Sequence, residues 1–200
     1  KHSTLRKRNT LVGYAHGMIF WGFAILFAGT VTITIDHDIL ARISEDLQFW
    51  KGGFYLGFSL VLDLAGAAFV IGLAIMLARR YVAKPPQLDY TRRDREPDTY
   101  HRSGYRRDDA LFSWILLAIA LTGFLLEALR ILADRPPHEI WSVVGWHLAD
   151  ILEWFGLAAT GANQSYGYAW WLHAVLVFAF IAYLPYSKAV HMFVAGVSLL

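Results

Sequence analysis

His173 and His191 lie eighteen residues apart on one apolar stretch that begins near Tyr168. In a continuous helix of about 3.6 residues per turn this spacing is five whole turns, so both imidazoles face one way, roughly 27 Å apart along the axis. That distance approaches the hydrocarbon thickness of a bilayer and places one histidine near each end of a span. His16 stands near the start of another apolar stretch. A polar ring in lipid is costly unless it is partnered, so histidines placed this way are functional by default. They suit axial ligation of b-type haem inside a helix bundle, and stacked haems would form an electron path across the membrane. The plainer alternative is a histidine bonded to a carbonyl or hydroxyl of a neighbouring helix.

The elements that must position these rings are legible from composition. The chain has 200 residues, 56% of them hydrophobic and 16% aromatic. Four apolar stretches are long enough to cross a bilayer: about 11–35, 53–78, 110–132 and 170–191, the last kinked at Pro185. The expected fold is an all-α, four-helix transmembrane bundle with haem b held between the helices, forming one membrane domain over residues 1–200. The chain has no cysteine, so it cannot by itself hold an iron–sulfur cluster. Its first ten residues are too polar for a signal peptide, so the first span is expected to be retained. It stops at Val197–Leu200 in apolar sequence, as a domain cut from a longer polypeptide would.

Lysine and arginine set the expected orientation. Fourteen of them flank the spans on the side of the N-terminus, the Arg79–Asp109 loop and Lys188. Four lie on the opposite side: Arg42, Lys51, Arg130 and Arg135. The positive-inside rule then puts both termini and the long loop in the cytoplasm of a prokaryotic cell, the protein sitting in its inner membrane. The basic loop reads first as a membrane flank and second as a docking surface; nothing points to nucleic acid. On the outer side, Pro136–Gly156 places Trp141, Val144, His147, Leu148 and Ile151 on one helical face. It is expected to be a short amphipathic helix lying on the outer surface, in contact with lipid.

Under this topology His16 and His191 come out at one depth on the cytoplasmic side, where they could clamp one iron. Gly13, one turn before His16, leaves room for a porphyrin. His173, at the outer end of the last span, is expected to bind a second haem. The corresponding level of the first helix is Thr34, so His37, three residues on beside Asp36 and Asp38 in apparent water, and His147 are the candidate sixth ligands. His2, His101 and His138 read as solvated. Asp63 is a lone carboxylate in the second span, suited equally to proton handling or to a hydrogen-bonded structural role.

The last span, with Leu172-His173 followed by Leu184-Pro185-Tyr186-Ser187-Lys188 and His191, resembles the final helix of respiratory nitrate reductase gamma subunits, which are dihaem cytochromes b. The resemblance extends over all four spans and the Val144-Gly145-Trp146 run. It implies that His16 and His191 are the proximal-haem ligands. The family's distal ligand on the first helix falls at Leu26, which cannot bind iron. The runs Phe20-Trp21-Gly22-Phe23 and Thr122-Gly123-Phe124 through Glu127-Ala128-Leu129-Arg130 look more like the membrane domains of heterodisulfide-reductase-like iron–sulfur oxidoreductases. That resemblance implies a cytoplasmic iron–sulfur protein or fused iron–sulfur domain as partner, and in some members electron-transfer flavoprotein as donor. The substrate would be a quinone, menaquinone or ubiquinone. Lys51 matches a family lysine near the quinone, and with Glu127, Arg130 and Asp63 it marks a quinone site at the outer helix ends; the plain reading of Lys51 is a snorkelling side chain and of Glu127 and Arg130 a surface pair.

The expected function is thus a quinone-linked cytochrome b that exchanges electrons with a cytoplasmic iron–sulfur partner. The competing class is a non-redox transporter or anchor with packing histidines and Asp63 as its central residue. Histidines binding non-haem iron or copper are a weaker third case, because no carboxylate–histidine cluster occurs at helical spacing.

Overall fold

An uninterrupted apolar stretch in lipid must satisfy every backbone group internally, and the helix is the local way to do so. A computed structural model describes residues 10–84 and 103–187 and bears this out. Helix α1 (Thr10–Ile33) runs on through a π-helical segment, Thr34–Leu40, and a last turn at Ala41–Ile43. Helix α2 (Gly52–Ala78) continues as π-helical Arg79–Ala83. Helix α3 covers Ser103–Asp134, the short α4 covers Val143–Trp154, and α5 covers Ala159–Tyr183. No strand occurs among the described residues. Four of the helices, Thr10–Ile43, Gly52–Ala83, Ala110–Asp134 and Ala159–Tyr186, are long and apolar enough to cross a membrane.

The helix ends follow from local chemistry. Gly52 opens α2 at φ +60°, a backbone conformation that suits glycine, while Lys51 before it is extended. Arg135 closes α3 at φ +45° with its N–H on the Ile131 carbonyl (2.7 Å), and Pro136-Pro137 then forbids continuation.

Small residues decide the pairing, because without a hydrophobic force in lipid helices associate by close packing. Helices α1 and α2 meet at three glycines. A Cβ on Gly22 would lie 2.8 Å from the Phe69 Cβ, and one on Gly72 would lie 2.8 Å from the Ala15 carbonyl oxygen. Gly29 lies under Leu62. Helix α5 packs on α3 through Ala162 and Ala169, which are buried with Ala128, Leu129, Leu132 and Ala149 of α3 and α4. A second cluster joins Phe69 and Leu73 of α2, Leu116 and Ala120 of α3 and Phe180 of α5, with Ile19, Phe23 and Leu26 of α1 against it. Burial is unequal: 39% and 33% of the apolar windows of α2 and α3 are buried, against 11% in α1 and in α5.

Three expectations are corrected. The last helix starts at Ala159, eleven residues before Trp170, because the polar, small-residue run Thr160–Gly167 still packs against α3 through Ala162. It ends at Tyr183; Leu184–Tyr186 tighten into a 3₁₀ turn at Pro185, and Ser187 is extended (φ −96°, ψ 164°). The helix that carries His173 is therefore interrupted at Leu184–Ser187, and His191 lies outside the described residues. Helix α4 is turned from the expected face: its most buried positions are Gly145 and Ala149, so it presses onto α3. The stripe Val144, Leu148 and Ile151 instead borders an apolar cleft of about 420 Å³ shared with α2 and α3.

Candidate functional site

Helix α5 carries His173 half-buried against α3. Its Nδ1 lies 2.8 Å from the Thr122 hydroxyl, and Gly123 beside Thr122 keeps the wall flat, since even a Cβ there would lie 3.5 Å from the His173 Cε1. With Nδ1 on Thr122, Nε2 is the nitrogen through which the ring could reach a ligand. An imidazole held in this way fits axial ligation of haem iron. His16 is half-buried on α1 next to Ala15, which is fully buried where α1 meets Gly72 of α2. Its expected mate His191, with His2 and His101, lies outside the described residues.

The structure sends the other histidines elsewhere. His147 lies two residues from Gly145 and from Ala149, on the opposite side of α4, and is 73% exposed with its Nδ1 3.7 Å from Asp150. His37 falls in the π-helical segment Thr34–Leu40. The neighbouring Asp36 corrects the expectation of a watery surround: it is 1% exposed and accepts the backbone N–H groups of Phe49 (2.7 Å) and Trp50 (3.2 Å), folding the connection to α2 over the end of α1. Leu26 packs on the Phe69–Leu73–Phe180 cluster, so an apolar contact fills that position.

Three of the four expected quinone residues meet at the α4 end of the bundle. Arg130 on α3 donates to Glu127 (2.8 Å), its i,i+3 neighbour, and to Glu139 (2.6 Å) in the turn Pro137–Trp141. The Tyr55 hydroxyl of α2 donates to the same Glu139 oxygen, Oε1. Ser142 donates to Glu127 (3.0 Å), and the Ser59 hydroxyl lies 2.5 Å from that of Ser142. Asp63 accepts the backbone N–H of Val144 (2.7 Å) and of Gly145 (3.2 Å), at the N-terminus of α4. Lys51 is exposed at the N-cap of α2.

Sequence reasoning found Asp63, Glu127 and Arg130 but missed Tyr55, Ser59, Glu139 and Ser142. The missed signal is simple: positions 55, 59 and 63 repeat at i,i+4 and put three polar groups on one stripe of an apolar helix. Glu139 and Ser142 were hidden in a connection, and they are each 1% exposed. Burial alone would penalise the charged form of Glu139. The hydrogen bonds from Arg130 and Tyr55 outweigh it and hold the carboxyl below its ordinary range. Its Oε2 is buried with no hydrogen-bond partner among the described residues. The His138 ring leans edge-on against Tyr55, its Nε2 3.8 Å from Glu139 Oε1.

The site can therefore do two things. A neutral imidazole on α5 can present a lone pair to a metal, and a polar network within the α4 end of two spans can hold and exchange protons. On α3 Thr122 and Glu127 are five residues apart, roughly 7.5 Å along the axis, Thr122 facing α5 and Glu127 facing α4. Among the described residues no three His, Asp or Glu groups converge on a point where they could hold a metal ion by themselves.

Comparison with known proteins supports an oxidoreductase component. The chain is 29% identical over 196 residues to EtfAB:quinone oxidoreductase of Syntrophomonas wolfei subsp. wolfei, covering 93% of this chain and 24% of that protein. It is 23% identical over 192 residues to the probable iron-sulfur-binding oxidoreductase FadF of Bacillus subtilis, covering 92% and 23%. Over 199 residues it is 25% identical to one subunit of the dihydromethanophenazine:CoB–CoM heterodisulfide reductase of Methanosarcina acetivorans, covering 97% and 60%. No protein-family model matches the chain, and no solved structure does. The chain spans about a quarter of the first two relatives and 60% of the third. Its distant relatives are oxidoreductases, and the part of it they match is an all-helical domain with four candidate membrane spans.

Proposed function

We propose that this chain is the membrane cytochrome b domain of a quinone-linked iron–sulfur oxidoreductase. His173 carries the reading: an imidazole in an apolar span, in contact at one nitrogen with Thr122 of α3, the helix that also carries Glu127 and Arg130 of the polar network. His16 and His191 hold one haem b, and His173 holds a second; haem when bound supplies one-electron transfer. The name of one relative, EtfAB:quinone oxidoreductase, supports quinone as the substrate, with menaquinone and ubiquinone as the candidates, and the length of two relatives beyond the matched region leaves room for an iron–sulfur module. The partner is then a cytoplasmic iron–sulfur protein or fused domain, with electron-transfer flavoprotein as a candidate donor. By charge bias the termini are cytoplasmic and the α4 end faces outward.

In this reading the network does the proton work of quinone chemistry. Arg130 orients the quinone oxygens, Glu127 anchors Arg130, Tyr55 holds Glu139, and Glu139 is ionised and able to take a proton at Oε2. Asp63 fixes the α4 backbone over the site.

The test is spectral. The purified protein should be red, with Soret and alpha bands of b-type haem, and His16→Ala or His191→Ala should abolish one low-spin signal. A colourless preparation of folded protein defeats the proposal in favour of a non-redox transporter or anchor. Retention of the signal in His191→Ala defeats the pairing alone.

A further inference from the structure

We infer that Thr122 is a positioning residue that fixes His173 as the Nδ1–H tautomer, so that Nε2 carries its lone pair toward haem iron. The inference rests on the functional reading above but begins from a hydrogen-bond count. A threonine hydroxyl has one proton and two lone pairs. The Thr122 oxygen lies 2.8 Å from the Ala118 carbonyl and 3.0 Å from the Ile119 carbonyl, both on its own helix. Carbonyl oxygens only accept, so two backbone acceptors of α3 compete with the ring for the single hydroxyl proton, and the Ile119 carbonyl also accepts from the His173 ring. With the hydroxyl proton on the backbone, the third contact, 2.8 Å to His173 Nδ1, runs the other way, the ring donating and Thr122 accepting.

The proton is therefore on Nδ1, and a neutral imidazole has its lone pair on Nε2. A ligand histidine whose distal N–H is bonded is fixed in rotation and is more basic, and loss of such a partner typically weakens metal binding about 10–100-fold. Added basicity favours ferric iron and lowers its reduction potential. Thr122 thus sets both the geometry and the potential of the His173 site without touching iron. Threonine suits the task because its back-bond to the preceding turn uses up the one proton that could have reversed the bond.

The experiment uses the full chain in lipid nanodiscs, with Thr122→Val, Thr122→Ser and His173→Ala compared with the parent. Ring ¹⁵N NMR of histidine-labelled protein prepared without haem, with His173→Ala identifying the signal, should show Nδ1–H in the parent and in Thr122→Ser. In Thr122→Val, which keeps the shape and loses the acceptor, the tautomer preference should be lost. Titration with haem b should show binding at this site weakened about 10–100-fold in Thr122→Val, with a higher midpoint potential and recovery in Thr122→Ser. An Nε2–H tautomer in the parent, or a Thr122→Val protein with unchanged tautomer, affinity and potential, overturns the inference. If His173→Ala keeps its full haem content, the functional reading of His173 fails instead, and the tautomer measurement still decides the role of Thr122.

Discussion

The Asp63 carboxylate in α2 accepts the Val144 backbone N–H at 2.7 Å, so a charge inside one span caps a helix that starts some eighty residues later. The first N–H groups of a helix have no partner within it, and the helix dipole adds positive potential there. Asp63 supplies the acceptor that Ser142, the residue at the N-cap, does not: the Ser142 side chain makes no cap bond and donates instead to Glu127. Of its two expected roles, the hydrogen-bonded structural one is what the geometry displays. Asp63→Ala should cost about 1–3 kcal/mol by leaving two N–H groups unpaired. Thermal unfolding in nanodiscs measures this, and Asp63→Asn, which keeps one acceptor, should cost less while leaving haem spectra unchanged.

Removing the guanidinium at position 130 should be the most damaging single change in the network. Arg130→Gln leaves Glu139, which is 1% exposed, without its cation. Breaking a buried pair costs about 3–5 kcal/mol, and the 36% exposure of Arg130 argues for the lower end. Quinol-dependent haem reduction should fall with it. The same assay in Lys51→Ala and Glu127→Gln separates the network from its exposed flank: Glu127→Gln should slow reduction, and Lys51→Ala should have the smaller effect.

The depressed ionisation of Glu139 has a signed consequence. A carboxyl whose folded-state value lies below its unfolded one adds stability above the unfolded value, near 4.3 for glutamate, and loses it as pH falls through the folded value. The stability gap between the parent and Glu139→Gln should thus be flat through neutral pH and shrink only in acid below about 4.3. Unfolding of both proteins across pH 3 to 8, roughly that window, reads it directly. A gap that closed near neutral pH would contradict the assignment.

Glycines of one helix pair should respond oppositely to one methyl group. Gly22→Ala would push a Cβ within 2.8 Å of Phe69 and 2.9 Å of the Ala65 carbonyl oxygen and should cost about 1–3 kcal/mol through overpacking. Gly57→Ala meets nothing within 4 Å and should be neutral or stabilising by about 0.5–1 kcal/mol, the ordinary helix gain. Differential scanning of the two variants gives the sign of each.

The spans were legible because length and apolarity alone announce a membrane helix. What the sequence hid was which side of each helix faces protein. In lipid both sides are apolar, so periodicity carries little signal, and the seam is written instead in small residues such as Gly22, Gly72 and Ala162. The same ambiguity turned α4: Val144, Leu148 and Ile151 suggested a face lying on lipid, whereas Gly145 and Ala149 allowed the close approach to α3. The histidines were visible as residue types, and His173 is where an imidazole could serve a ligand. Its partner Thr122 was invisible because contact across fifty-one residues has no local trace. Glu139 and Tyr55 were missed for a like reason, since their pairing spans eighty-four residues.

The uneven burial of the four spans separates scaffold from chemistry. Helices α2 and α3 are the more buried spans, and α1 and α5, which present His16 and His173, pack against them, α1 on α2 and α5 on α3. Substitutions on the outer faces of α1 and α5 can then retune the ring environments while the frame stays fixed. An engineer who wished to shift redox properties would have the outer faces of two helices to work on, with Thr122 left in place.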